Sequence, residues 1–136
     1  MSEVKKVLFT GKTHTTHASP VGAGAAHSND GFLDIKLPQA HPAAEDLFGV
    51  AWSACYMGAL ERAAAVRKVA LPPEIAVDTQ IDLNLIDGAF RLSARLDVSL
   101  PGVDRAVGEE LIQAAHGICP YSKAVHGNIA VETNLI

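Results

Sequence analysis

Residues 75–100, IAVDTQIDLNLIDGAFRLSARLDVSL, contain two runs in which apolar and polar side chains alternate. Alternation with a period of two is typical of half-buried β-strands. Asp87-Gly88 separates the runs and suits a two-residue hairpin turn. We therefore predict an antiparallel hairpin with one apolar face. That face comprises Ile75, Val77, Thr79, Ile81, Leu83 and Leu85 on one strand, and Phe90, Leu92, Ala94, Leu96, Val98 and Leu100 on the other.

A long helix is predicted before the hairpin, over residues 41–68. Pro42 suits the first turn, and Glu45 and Asp46 lie where the helix dipole favours anions. From Leu47 to Leu60 the segment is apolar nearly all round. Such a helix is enclosed by protein on most sides.

The remaining segments give an α+β chain. Apolar residues at helical spacing predict a second helix over residues 103–117, and Pro120 prevents its continuation. Strands are predicted at residues 4–16, 31–37 and 127–136, with a loop of small residues at 17–29. The predicted order is β-β-α-β-β-α-β in a single domain, residues 1–136. Because the long helix needs more cover than one small sheet supplies, we expect it to be buried in a homodimer.

Composition narrows the class of protein. The chain has 136 residues, 49% of them hydrophobic and 19% charged, and a net charge of −4 without any basic block. It lacks the electrostatic signature of a nucleic-acid-binding protein. The N-terminal residues do not resemble a signal peptide, and the longest apolar run is too short to span a membrane. We therefore expect a cytoplasmic protein, in which thiols are kept reduced.

The chain has two cysteines and six histidines. Cysteine is often a small buried hydrophobe, so Cys55 in its apolar helix starts as a packing residue, while for Cys119 packing and chemistry are about equally supported. The histidines lack the compact ligand set of a zinc site, and the glycines lack the setting of a dinucleotide-binding loop. We expect neither metal nor cofactor. Ser122 also lacks the G-x-S-x-G setting of a nucleophile.

Four stretches of the sequence resemble the organic hydroperoxide resistance (Ohr) family of OsmC-like proteins. The resemblance extends over the whole chain. The family pattern has a Glu ten residues before the first cysteine, which is Glu45 before Cys55 here, and a Cys-Pro-Tyr-Ser segment beginning here at Cys119. The four stretches are SNDGFLDIKL, PAAEDLFGVAWSACYMGAL, LPGVD and AAHGICPYSKAVHGNI.

The resemblance implies an OsmC/Ohr fold and a thiol peroxidase that prefers organic hydroperoxides, including those derived from fatty acids. Cys55 would attack the peroxide and become a sulfenic acid. Cys119 would resolve it as an internal disulfide, which a lipoylated protein or another dithiol would reduce. The apolar surroundings suit an oily substrate, with four candidate binding residues: Phe48, Trp52, Ile118 and Tyr121.

One departure from the family concerns activation of the thiol. At pH 7 an ordinary cysteine is only about 3% thiolate, so the nucleophile needs a nearby cation. The family supplies an Arg from the loop between its first two strands, held by the Glu. Residues 17–29 here, HASPVGAGAAHSN, contain no Arg. The candidate replacements are His17 and His27, then Arg62, which follows Cys55 by two helical turns.

The position of Glu45 leads to a geometric expectation. Ten residues of continuous helix span about 15 Å, so Glu45 cannot reach Cys55 of its own chain. It would have to act on the second copy of a two-fold dimer. Two alternatives stay open: an OsmC-like protein with altered or weakened peroxidase activity, and a non-catalytic dimer that binds small molecules.

Overall fold

The structure is a computed structural model that describes residues 6–17 and 23–136. The chain divides into two compact units, one up to Ala44 and one from Glu45 to Ile136, which we describe separately. No helix of the described residues is long and apolar enough to cross a membrane.

The N-terminal unit contains a three-stranded antiparallel sheet. Its strands are β1 (Thr13–Thr15), β2 (Gly24–Ser28) and β3 (Asp34–Leu37), with β2 in the centre. The loop predicted at 17–29 is therefore wrong for Gly24–Ser28, while Asn29 lies in a turn. Glycine and alanine have low strand propensity, but pairing on both edges satisfies the backbone of β2, and Ala26 is buried.

The two strands predicted in this unit are shorter than expected. The strand predicted at 4–16 is reduced to β1, because residues 6–12 make no ladder, while residues 4 and 5 lie outside the described part of the chain. The strand predicted at 31–37 begins only at Asp34. Gly31 has a φ of 76°, and its N–H donates to the Ser28 carbonyl, so the start of that segment belongs to a turn.

The second unit contains the predicted hairpin and the long helix. The helix α1 spans Ala43–Val66, and the hairpin strands are β4 (Ala76–Ile86) and β5 (Ala89–Ser99). Asp87 and Gly88 have φ values of 50° and 78°, the left-handed pair that a tight hairpin turn requires. The hairpin prediction is thus confirmed, including its turn.

The C-terminal part of this unit contains one helix more than expected. Helix α2 (Arg105–Ile118) is followed by a short helix α3 (Pro120–Val125) and by strand β6 (Ala130–Leu135), which pairs in parallel with β5. Pro120 ends α2, as predicted, but it also occupies the first turn of α3, where its missing N–H costs nothing. The α+β class is confirmed, although the predicted element order lacks one strand and one short helix.

The core of the second unit lies between the helices and the sheet. Only one face of α1 is buried, and Val50 on the opposite face is 69% exposed. The apolar face of the hairpin is likewise covered near β6 and open near its turn, where Phe90 is 76% exposed. The largest fully buried side chains are Trp52, Tyr56, Leu60, Leu96, Val98, Leu111, Ile112 and Cys119.

Candidate active site

The two cysteines meet inside the second unit. Cys55 lies in the middle of α1, and Cys119 lies between α2 and α3. Their Sγ atoms are 3.4 Å apart, with Cys119 fully buried and Cys55 partly buried. A disulfide needs about 2.05 Å, so a movement of about 1.4 Å would join the two sulfurs. Both are free thiols in this structure.

Cys119 is fixed by its role at two helix ends. Its backbone is extended, and its N–H donates to the Ala115 carbonyl at 2.8 Å, which closes α2. Its Sγ accepts the N–H of Ser122 at 3.4 Å and so caps α3. The amide of a helix start favours negative charge on the capping atom. Cys119 therefore has one donor aimed at its sulfur before any reaction begins.

The environment of Cys55 favours the thiol over the thiolate. Burial raises its pKa most, and the neighbouring Cys119 raises the pKa further through the hydrogen bond between the thiols. The backbone N–H of Tyr121 lowers the pKa and partly opposes these effects. Among the described residues, no basic side chain contributes to the shift. The described residues of this unit therefore do not supply Cys55 with the cation that a reactive thiolate needs.

A hydrogen-bond network adjoins Cys119, and the sequence did not predict it. Ser122 Oγ accepts from Trp52 Nε1 at 3.0 Å and lies 2.8 Å from His116 Nδ1. His116 Nε2 lies 2.7 Å from Thr133 Oγ1. Tyr56 packs on the imidazole, with ring centroids 4.8 Å apart. The only sequence signal is that His116 and Ser122 flank Cys119 in the motif HGICPYS.

A cavity of about 610 Å³ adjoins this network. Trp52, His116 and Ser122 contribute to its wall, together with residues from the end of α3 and from β6. Neither cysteine is part of its lining. The network therefore stands between the cavity and the buried thiol of Cys119.

The four candidate substrate-binding residues lie on the elements that carry the thiols. Trp52 is fully buried, and its ring centroid is 5.7 Å from that of Phe48. Phe48 and Ile118 are partly buried against the core, and Tyr121 is 42% exposed. Three of the four residues thus keep some accessible surface.

Glu45 lies in the first turn of α1, on the same continuous helix as Cys55. It is buried and lines a groove of about 750 Å³ between α1 and β4. Ten helical residues separate its Cα from that of Cys55 by about 15 Å along the axis. Because α1 is continuous, Glu45 is expected not to reach Cys55 of its own chain, and its action on a second copy stays a prediction.

The three candidate cations are all exposed. Arg62 lies on α1 and is not among the groups that shift the pKa of Cys55. His17 and His27 belong to the N-terminal unit. His27 is on β2, not in a loop, and its ring packs against His14 with centroids 5.4 Å apart. Which of the three serves the thiol stays a prediction.

Known proteins resemble this chain in both sequence and structure. A family model described as OsmC-like protein matches residues 37–134. The chain is 36% identical to an organic hydroperoxide resistance protein of Xanthomonas axonopodis pv. citri, with 99% of each chain covered. The crystal structure of the organic hydroperoxide resistance protein OhrB of Bacillus subtilis is 34% identical with a TM-score of 0.78, covering 96% of this chain and 100% of that one. The crystal structure of an organic hydroperoxide resistance protein from Legionella pneumophila has a TM-score of 0.82 at 26% identity, covering 96% of this chain and 98% of that one.

Proposed function

The chain belongs to the OsmC-like family, among the organic hydroperoxide resistance proteins, and on that premise we propose that it is a thiol-dependent peroxidase for organic hydroperoxides. The Cys55 thiolate attacks the terminal peroxide oxygen. The O–O bond breaks, the alcohol leaves with a proton, and Cys55 becomes a sulfenic acid. Cys119 then displaces the sulfenic oxygen as water and forms a disulfide. A dithiol of the lipoyl type reduces that disulfide and is itself oxidised.

The observation that carries this proposal is the 3.4 Å separation of the two Sγ atoms. Sulfenic acids condense readily with an adjacent thiol, and the resulting disulfide protects them from further oxidation. The partly buried cysteine is the one open to a substrate, while the fully buried cysteine is held against it. This asymmetry supports Cys55 as the peroxidatic residue and Cys119 as the resolving one.

The surroundings support an apolar substrate. Phe48, Ile118 and Tyr121 keep accessible surface, and Trp52 supports the Phe48 ring from the core. An alkyl or fatty-acid hydroperoxide would bury its chain on this surface, at about 25 cal/mol for each Å² removed from water. Hydrogen peroxide has no such group to bury. We therefore assign the four residues to substrate binding.

A homodimer is part of the proposal. Val50 on α1 and Leu85 and Phe90 on the hairpin form apolar surface that this chain leaves open. Leu85 and Phe90 are directly paired across β4 and β5, so they form one exposed apolar patch, and such patches mark interaction sites. A two-fold dimer also removes the distance problem of Glu45, because Glu45 of one protomer would approach Cys55 of its partner. A cytoplasmic location fits a cycle that needs reduced thiols between turnovers.

The test is peroxide consumption with dihydrolipoamide as the reductant. We expect faster turnover of cumene hydroperoxide than of hydrogen peroxide, no turnover in Cys55→Ser, and loss of disulfide formation in Cys119→Ser. Ser93→Ala is a control that should leave turnover unchanged, because Ser93 lies on β5 and its hydroxyl bonds Asn84. Equal activity in wild type and Cys55→Ser would refute the proposal.

One observation favours a second candidate, an OsmC-like protein with weakened peroxidase activity. The pKa of Cys55 is raised, and no described basic side chain lowers it. If no cation arrives from elsewhere, little thiolate forms at neutral pH. The same assay separates the candidates, because a weakened enzyme gains rate steeply with pH, while an activated one is already fast near pH 7.

A further inference from the structure

Four elements of the second unit are linked through the side chains of Ser122 and His116. Trp52 from α1 donates its indole N–H to Ser122 Oγ, and His116 at the end of α2 contacts the same oxygen through Nδ1. His116 in turn contacts Thr133 on β6. Ser122 itself belongs to α3, and its backbone N–H donates to Cys119 Sγ. A single side chain, His116, thus joins the end of α2 to the residue that contacts the buried thiol.

The donors and acceptors of this network favour one tautomer of His116. The indole N–H can only donate, so it takes one lone pair of Ser122 Oγ. The Ser122 hydroxyl proton then has His116 Nδ1 as its described acceptor. We therefore assign the tautomer in which Nδ1 accepts the Ser122 proton and Nε2–H donates to Thr133 Oγ1. Burial lowers the pKa of His116, which keeps the imidazole neutral at pH 7.

We infer that His116, acting through Ser122, positions Cys119 for disulfide closure. This inference rests on the proposed function. In the closing step the Cys119 sulfur attacks the sulfur of the Cys55 sulfenic acid, the S–O bond breaks, and the Cys119 proton leaves with the oxygen as water. His116 does not contact either sulfur. It holds α3 so that the Ser122 amide stays on Cys119 Sγ and the two sulfurs stay 3.4 Å apart.

The expected consequence is a specific loss of the second step. A displacement of about 1 Å in a reacting pair can slow a reaction about a hundredfold. We expect His116→Leu to slow disulfide closure at least tenfold, while consumption of the Cys55 thiol by cumene hydroperoxide stays within about twofold. The unresolved sulfenic acid would then be oxidised further, so Cys55 sulfinic acid should accumulate at lower peroxide.

The experiment compares four variants by rapid quench and intact-mass analysis of the full-length protein. His116→Asn keeps an acceptor near the position of Nδ1 and should restore closure to within about threefold of wild type. His126→Asn is the matched control, because this exposed histidine lines the same cavity and has no described hydrogen bond to the thiol region. Ser122→Ala removes the hydroxyl and keeps the amide, and it should also slow closure. This variant tests the inference even if His116→Leu does not fold.

Closure driven by diamide separates this inference from the peroxidase proposal, because diamide oxidises dithiols without peroxidase activity. Slow closure of His116→Leu with diamide, rescued by Asn, supports the positioning role even if no variant consumes peroxide. Closure at the wild-type rate in both His116→Leu and Ser122→Ala overturns it. The inference is also overturned if His116→Leu slows thiol consumption by cumene hydroperoxide as much as disulfide closure. It is overturned too if His116→Asn closes as slowly as His116→Leu.

Discussion

Cys55 reacts only as a thiolate, and most of its surroundings favour the thiol. Burial and the neighbouring Cys119 raise its pKa, and one backbone N–H opposes them. Glu45 of a partner protomer would add a like charge and raise the pKa again. Activity at neutral pH therefore requires a cation from outside the residues that contact Cys55 in this unit.

The first prediction identifies that cation by pH. A histidine loses its charge as pH rises through roughly 6.5, whereas an Arg does not. We expect His17→Ala or His27→Ala to slow alkylation of Cys55 several-fold near pH 6 and much less near pH 8. Arg62→Ala would instead slow it at both pH values if Arg62 were the cation. His126→Ala is the control. If His17→Ala, His27→Ala and Arg62→Ala all keep the wild-type dependence of alkylation rate on pH, the weakened-activity candidate is favoured.

His116 gives the second prediction, on stability. Burial lowers its pKa in the folded protein below the ordinary value of 6.5. Between those two values the unfolded chain binds more protons, so the free energy of unfolding falls as pH drops below about 6.5. We expect His116→Asn to lose less stability than wild type between about pH 7.5 and pH 5, measured by urea denaturation. Parallel pH profiles for the two proteins would contradict this.

Among elements, α1 and α2 are joined by a buried hydrogen bond. The Tyr56 hydroxyl donates to the Ile112 carbonyl at 2.6 Å, and both residues are fully buried. A net contribution of about 1 kcal/mol is typical of such a bond. We expect Tyr56→Phe to lower the free energy of unfolding by about 1–2 kcal/mol. Tyr121→Phe, at a residue 42% exposed, should change it by less than about 0.5 kcal/mol.

The success of sequence prediction at this scale follows the range of the interactions. The hairpin was predictable because alternation and Asp87-Gly88 are local signals. Strand β2 was not, because Gly24–Ser28 has low strand propensity and pairs only through its neighbours. Helix α3 is six residues long and depends on the Cys119 cap, so it is too short for a helical period of apolar residues to predict it.

The candidate site shows the same division. The pairing of Cys55 with Cys119 could be predicted, because both lie in motifs that resemble the Ohr family and the resemblance implies the pair. The network of Trp52, His116, Ser122 and Thr133 was not, because its members come from four elements and meet only in the packed structure. Ser122 in particular carries no nucleophile motif, and its role lies in the bonds that its hydroxyl and amide make.

For the whole molecule, the fourth prediction concerns assembly. Ala54 lies on the exposed face of α1 and lines the groove with β4. A Glu there would carry charge into the proposed dimer interface, where an unpaired charge is costly. We expect Ala54→Glu to sediment as a monomer at micromolar concentration. Ala106→Glu, which changes an exposed alanine on α2, should stay dimeric. A wild-type monomer would contradict the dimer itself.

The last prediction asks which protomer supplies Glu45. If Glu45 holds the activating cation across the dimer, Glu45→Gln should lose that cation and Cys55→Ser should lose the thiol, so each homodimer should be inactive or strongly impaired. A mixed dimer of the two would pair the intact Cys55 of one chain with the intact Glu45 of the other, which gives one working site. Random pairing makes half the dimers mixed, so peroxidase activity should recover to about a quarter of the wild-type value per chain.

Action within one chain predicts the opposite result. The Glu45→Gln chain would then keep its own impaired Cys55, the Cys55→Ser chain would have no thiol, and mixing would restore nothing. The control mixes Cys55→Ser with Cys119→Ser, because both changes remove members of the thiol pair that α1, α2 and α3 bring together within one chain. Turnover through the disulfide needs an intact pair within one chain, so mixing should not raise the activity above the mean of the two parent proteins. If activity recovers in the mixture of Glu45→Gln with Cys55→Ser but not in the control mixture, the reactive thiol is completed by a second copy of the chain.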